Sequence, residues 1–192
     1  MVPVLSRGAP PQSVQEFIKS DSEWESLRKG EVVILPTEDG DSTEEDNQHA
    51  GMAAILIDAA PKEVWDVIAD KEAAPDYIDS LESAEIIEET EDHVLIRQTM
   101  KLGPLPRVTY VVKHSPIPIH TVNFEHHSGD MKDIKGFWRF FPVDGDKKCL
   151  VIYRLSLSPG FFVPNFVIRK SLKKSLPDAL RAVERQVSIR KE

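Results

Sequence analysis

The chain of 192 residues holds one cysteine, Cys149, so no internal disulfide can brace it. No apolar run approaches the roughly 18 residues that a membrane-crossing helix needs. There is no GxSxG turn to expose a serine nucleophile and no glycine-rich phosphate loop. Cys149 falls in an expected strand without a positioned histidine, which points to a small buried hydrophobe rather than a reactive thiol. The opening MVPVLSRGAPPQ has no signal-peptide core, so a cytoplasmic location is expected, or a periplasmic or secreted one if Met1 replaces a trimmed leader. No cofactor motif is found and no cofactor is expected, while the oligomeric state is left open.

What is present is an ordinary globular balance, 41% hydrophobic and 29% charged. The formal charge of −8 is unevenly spread. Residues 163–192 carry eight Lys or Arg against three acids, and the remainder 16 against 29. A body so acidic repels phosphate, so nucleic acid is not an expected partner. The basic C-terminal segment reads as a solvated helix face, or as a contact for an acidic partner or an anionic membrane surface.

The order of local patterns divides the chain into an N-terminal helical extension (1–36), an acidic flexible linker (37–50) and a main domain (51–192). SVQE at 13–16 and SEWE at 22–25 fit the capping box that opens a helix, and Gly30 supplies a stop. EVVIL at 31–35 suits a short edge strand. EDGDSTEED is too charged to collapse. GMAAILIDA then reads as a strand and PKEVWDVIAD as a helix with proline in its first turn. KEAAPDYIDSL adds a short helical turn. From residue 83 to 157 the period is close to two, in six runs divided by TED, GPLP, SPIPI, SGDM and PVDGD. Links that short require antiparallel neighbours. Helical spacing returns at the end, where Phe162, Phe166, Leu172, Leu176, Leu180, Val183 and Val187 form one stripe. Pro177 either kinks this helix or begins a second one capped by Ser175. The expected fold class is α+β, with a curved antiparallel sheet of about seven strands around a long C-terminal helix.

That order resembles the START-like (SRPBCC) superfamily with its helix-grip fold, especially the polyketide cyclase and coenzyme Q-binding branch. APKEVWDVIAD with PDYIDSLESAEIIEE, GFWRFFP at 136–142, VIYRLSLSPG and LKKSLPDALRAVERQV carry the likeness, over residues 51–190. The resemblance implies a hydrophobic cavity between helix and sheet. Its uses in the superfamily range over lipid or quinone binding, polyketide cyclisation, and hormone or pigment binding.

Strand parity selects the residues that face such a cavity. They are Val94, Ile96, Gln98 and Met100; Val108, Tyr110 and Val112; Val122 and Phe124; Trp138 and Phe140; Val151, Tyr153 and Leu155. The candidate ligand-binding set is Tyr77, Ile96, Gln98, Met100, Tyr110, Val112, Phe124, Trp138, Phe140, Tyr153, Phe162, Phe166 and Leu172. Gln98, Tyr110, Trp138 and Tyr153 bring polar groups to an apolar face and call for partners there, among themselves or on a ligand. His114, His120 and His126 share the inward parity, but His126 lies roughly 20 Å along from His120 at about 3.3 Å per residue, so the three cannot share a metal. The loop SPGFFVPNF is read as a staple of the helix to the sheet rim, or as a hydrophobic gate. The leading functional reading is binding or transport of a hydrophobic small molecule such as a lipid, quinone or polyketide-like compound, with transient membrane-surface contact. The alternatives are a cyclase or aromatase type of enzyme, and a protein-interaction module built on the basic helix.

Overall fold

The computed structural model describes residues 12–37, 49–101 and 106–191. The acidic linker expected over 37–50 falls almost wholly outside these residues, as do the first eleven residues and most of the GPLP turn.

Eight strands form one open antiparallel sheet: β1 (Val33–Leu35), β2 (His49–Ile57), β3 (Leu81–Glu89), β4 (Val94–Met100), β5 (Val108–Ile117), β6 (Thr121–Gly129), β7 (Met131–Val143) and β8 (Lys148–Pro159). Their order across the sheet is β1-β2-β8-β7-β6-β5-β4-β3. Strands β3 to β8 follow one another as hairpins, while the chain between β2 and β3 crosses to the far edge. The β7–β8 hairpin turns on Asp144, Gly145 and Asp146, all with positive φ, a conformation these residue types tolerate. The sheet has one strand more than the periodic runs promise, because the short EVVIL run joins it as edge strand β1.

Among the described residues three α-helices complete the fold: α1 (Asp21–Arg28), α2 (Pro61–Ala69) and α3 (Asn165–Lys191). Helix α2 starts on proline, where a missing N–H costs nothing, and the Glu63 carboxylate accepts from Ala60 N at 2.7 Å. Helix α3 runs unbroken through Pro177, so neither a second helix nor a Ser175 cap forms. Its buried stripe is Ile168, Leu172, Leu176, Leu180, Val183 and Val187. Phe162 and Phe166, expected in that stripe, are 90% and 72% exposed, because the helix begins only at Asn165 and its phase buries Ile168 instead. Helix α3 packs chiefly on β2 and α2. Gly51 permits this approach, since a Cβ there would lie 2.6 Å from Leu176 Cδ1.

Both faces of the sheet are buried where β1, β2, β7 and β8 lie. On β2, Ala53, Ile55 and Ile57 face the helices, while Met52, Ala54 and Leu56 face the other way. That outer face is covered by the N-terminal segment, through Val14, Ile18, Trp24 and Leu27. The segment is therefore packed into the fold rather than appended to it. Only a single 3-10 turn (Gln12–Val14) forms over SVQE. The capping box of α1 belongs to Ser20 and Glu23 rather than to SEWE: Glu23 N donates to Ser20 Oγ at 3.2 Å and Ser20 N to Glu23 Oε2 at 3.0 Å. Gly30, at φ +79°, ends the helix as expected.

Candidate functional site

Between α3 and the curving strands β4–β8 lies a cavity of about 150 Å³. The sheet supplies its floor and the residues between α2 and β3 one wall. Tyr77, Gln98, Met100, Tyr110, Val112, Phe124, Trp138, Tyr153 and Leu172 all line it. The other candidates lie elsewhere. Ile96 is fully buried and belongs to the solid part of the inner core. Phe140 is sealed beneath α2, where Trp65 meets it edge-on at 5.6 Å. Phe162 and Phe166 point to solvent, and it is Phe161 and Ile168 from the same stretch that reach the cavity.

The floor is aromatic. Trp138 and Tyr153 are directly opposed on β7 and β8, and their rings stack at 3.8 Å with planes 10° apart. Phe124 lies 6.4 Å from Tyr153. Gly136 makes room for that ring, since a Cβ there would stand 2.6 Å from Phe124 Cζ and collide with the Arg154 carbonyl. Burial keeps the Tyr110 and Tyr153 hydroxyls protonated far above the ordinary tyrosine value. The Tyr77 hydroxyl donates to the Val67 carbonyl at 3.1 Å and is pushed up to about 12 by burial.

Two cavity groups titrate in the opposite sense. Lys71 is lowered to about 8 by burial, with Nζ donating to the Ile68 carbonyl at 2.6 Å. His114 is held well below the ordinary imidazole value, first by burial and then by the charge of Lys71. Its Nδ1 is buried without a hydrogen-bond partner. His114 stands opposite Phe124 in the β5–β6 register, whereas His120, expected to face inward by parity, is exposed because it lies in the β5–β6 turn. His126, opposite Val112, has a buried Nε2 that is also without a partner. Parity had placed His114 inward. Nothing in the sequence marks Lys71, because a lysine in a loop is normally solvated.

Cys149 is fully buried, and burial pushes its thiol up to about 12, which leaves it inert as a nucleophile at neutral pH. Much of the charge on α3 is tied down within the fold. Arg190 pairs with Asp70 at 2.6 Å, Lys191 with Glu63 at 3.3 Å, and Arg181 donates to the Gly30 carbonyl at 2.6 Å. Among the described residues no helix is long and apolar enough to cross a membrane.

The sequence profile of the family described as polyketide cyclase / dehydrase and lipid transport matches residues 57–184. The structure is similar to the Zhui aromatase/cyclase of Streptomyces sp. R1128, with a TM-score of 0.68 and 16% identity over 76% of this chain and 96% of that one. It is equally similar to a STAR-related lipid transfer protein of Xanthomonas axonopodis, with a TM-score of 0.68 and 16% identity over 90% and 97%. A START superfamily protein of Mycobacterium smegmatis gives a TM-score of 0.64 and 14% identity over 73% and 97%. No curated protein sequence matches this chain. The chain belongs to the polyketide cyclase / dehydrase and lipid transport family and has its START-like helix-grip fold.

Proposed function

We propose that this family member binds and carries a compact hydrophobic molecule, of the lipid, quinone or polyketide-like kind, in the cavity between sheet and α3. The observation that supports this reading is the cavity itself. It is enclosed mostly by apolar and aromatic side chains, with a few polar groups placed to orient a guest. A space of about 150 Å³ is of the size class that admits a single ring system. A quinone or aromatic head fits that better than an extended acyl chain. Burial of ligand surface at about 25 cal/mol per Å² supplies the driving force.

The test is to fill the space from inside. Met100 lines the cavity on an unbranched, adaptable side chain. Met100→Trp is expected to shift the melting temperature little and to abolish binding of 1,4-naphthoquinone, followed by calorimetry. Loss of about 1–3 kcal/mol of stability from overpacking, with no naphthoquinone bound even by the unaltered chain, would overturn the reading.

The exposed Phe162 and Phe166 lie between the cavity-lining Phe161 and Ile168, and exposed Lys170 and Lys173 follow on α3. This pairing of apolar and cationic groups suits a transient contact with an anionic bilayer. A second reading, an enzyme of the cyclase type, is favoured by Lys71 lining the same cavity beside His114, since a lysine lowered to about 8 can exchange a proton near neutral pH.

A further inference from the structure

Among the residues that line the cavity, Lys71 stands apart. Among the described residues no Asp, Glu or Arg shares the lining with it. Its Nζ gives one hydrogen bond, to the Ile68 carbonyl at 2.6 Å, which leaves two ammonium donors to place. No carboxylate among the described residues acts on it; burial alone governs its titration. Lysine normally extends its ammonium to water along a flexible stem. Here the stem is turned inward.

His114 shows a matching deficiency on β5. The residue is 8% exposed, lines the same cavity, and leaves Nδ1 buried without a partner. The Lys71 charge is felt at this ring, so the two groups lie within electrostatic reach of one another. Two polar groups, one of them cationic, thus face an apolar space whose lining, among the described residues, carries no carboxylate. The group that would complete both is a single anionic acceptor. A phosphate would bring more negative charge than one lysine balances, and the lining holds no arginine fork to receive it. A neutral alcohol would leave the ammonium uncompensated.

Resting on the hydrophobic-ligand reading above, we infer that the cavity's ligand is a compact apolar carboxylic acid. Its carboxylate accepts from Lys71 Nζ and from His114 in the Nδ1–H tautomer, and its rings lie against Trp138 and Tyr153.

The experiment compares 2-naphthoic acid with 2-naphthalenemethanol, which share a ring system and differ in the head, by calorimetric titration of the full chain at pH 7. The acid should bind at least about tenfold more tightly, the scale of a charge-assisted hydrogen bond in a low-dielectric site. Lys71→Met should bring the acid to the level of the alcohol while leaving the alcohol within about twofold of its original affinity. Lys71→Gln serves as a second variant should the methionine form fail to fold. A proton-linked readout separates an anchor from a merely structural lysine. At pH 9 the empty site holds Lys71 mostly neutral, because its value lies near 8. Pairing with a carboxylate raises that value, so the acid should draw a proton from the buffer and the alcohol none. The other titratable groups that face Lys71 do not compete in this range. Tyr77, Tyr110 and Tyr153 are shifted upward and His114 downward. Equal affinities for the two heads, an acid preference that survives Lys71→Met, or an absence of proton uptake would each overturn the inference. Binding of the alcohol without the acid would sink the carboxylate and leave the carrier reading standing. Binding of neither would remove both.

Discussion

Leu150 and Val151 are neighbours on β8 and both are fully buried, yet they face cores of different kinds. Leu150 points to the outer face, where Ile18, Trp24 and Leu27 pack against Met52, Ala54 and Leu56. Phe17 adds to this layer, lying 5.9 Å from Phe141 and 6.2 Å from Phe137. Val151 points to the inner face, where α3 lies close on β2 and the sheet curves away from it toward β4. The outer cover is made of short pieces that settle onto the strands. The inner cover is short helix α2 and one 27-residue rod, α3, which cannot follow the curvature of the sheet. A rigid helix against a bent sheet leaves a space at one end, and there the aromatic floor, Lys71 and the unpartnered His114 Nδ1 are found.

This contrast can be broken by experiment. The largest effect is expected at Leu180, which is fully buried where α3 meets the sheet. Leu180→Asp places an unpaired charge there and should unfold the chain at ambient temperature, whereas Lys173→Glu on the exposed side should leave the melting temperature nearly unchanged. Similar shifts for the two would mean that α3 is held by something other than its buried stripe. On the outer face, Trp24→Ala should cost about 3–5 kcal/mol in denaturant unfolding if that cover is solid, and well under 1 if it is loose.

A smaller change of opposite sign is expected at Lys71. Its value is about 8 when folded and 10.5 ordinarily, so the folded chain holds the proton less tightly than the unfolded one. The resulting penalty is complete below pH 8 and disappears as the pH rises toward 10.5. Lys71→Met should therefore stabilise the chain by about 2 kcal/mol at pH 7, with the gain fading across that alkaline window. A pH-independent gain would assign the effect to packing instead. The smallest test uses two alanines. Ala54 faces the outer core and Ala179 lines the cavity. Enlarging Ala54 to Leu should cost about 1–3 kcal/mol, and the same change at Ala179 less than about 1.

Much of the inner face was legible in the sequence, because a period of two assigns each residue to a side. Gln98, Met100, Tyr110, Val112, Phe124, Trp138 and Tyr153 were placed by that rule alone, and all line the cavity. Parity does not say what lies above a residue, however. Ile96 and Phe140 obey it and end beneath packed side chains, since the position of α2 and α3 over the sheet is a tertiary fact. The phenylalanines of the loop before α3 misled for a different reason. A run of apolar residues beside a helix start carries no phase until the first helical residue is fixed, and that residue proved to be Asn165. The outer core did leave a mark. MAAILI and CLVI are continuously apolar rather than alternating, the signature of strands buried on both faces. Lys71 left none, because the burial of a single lysine depends on what folds over it.

The pairing of β2 with β8 also governs how the chain can acquire its shape. Ala54 sits opposite Ile152, and between them lie α2 and the whole meander of β3 to β7. Contacts of such sequence separation belong to slowly folding topologies, in which local hairpins form early and the closing pair forms late. On a translating ribosome the meander emerges with its inner face bare, and α3 follows only after β8. Until those last turns are released, Trp138 and Tyr153 have nothing above them, and the nascent sheet depends on its cellular surroundings for protection from aggregation. The cavity between sheet and α3 is therefore among the last features of this fold to close, since it needs both β8 and the helix that follows it.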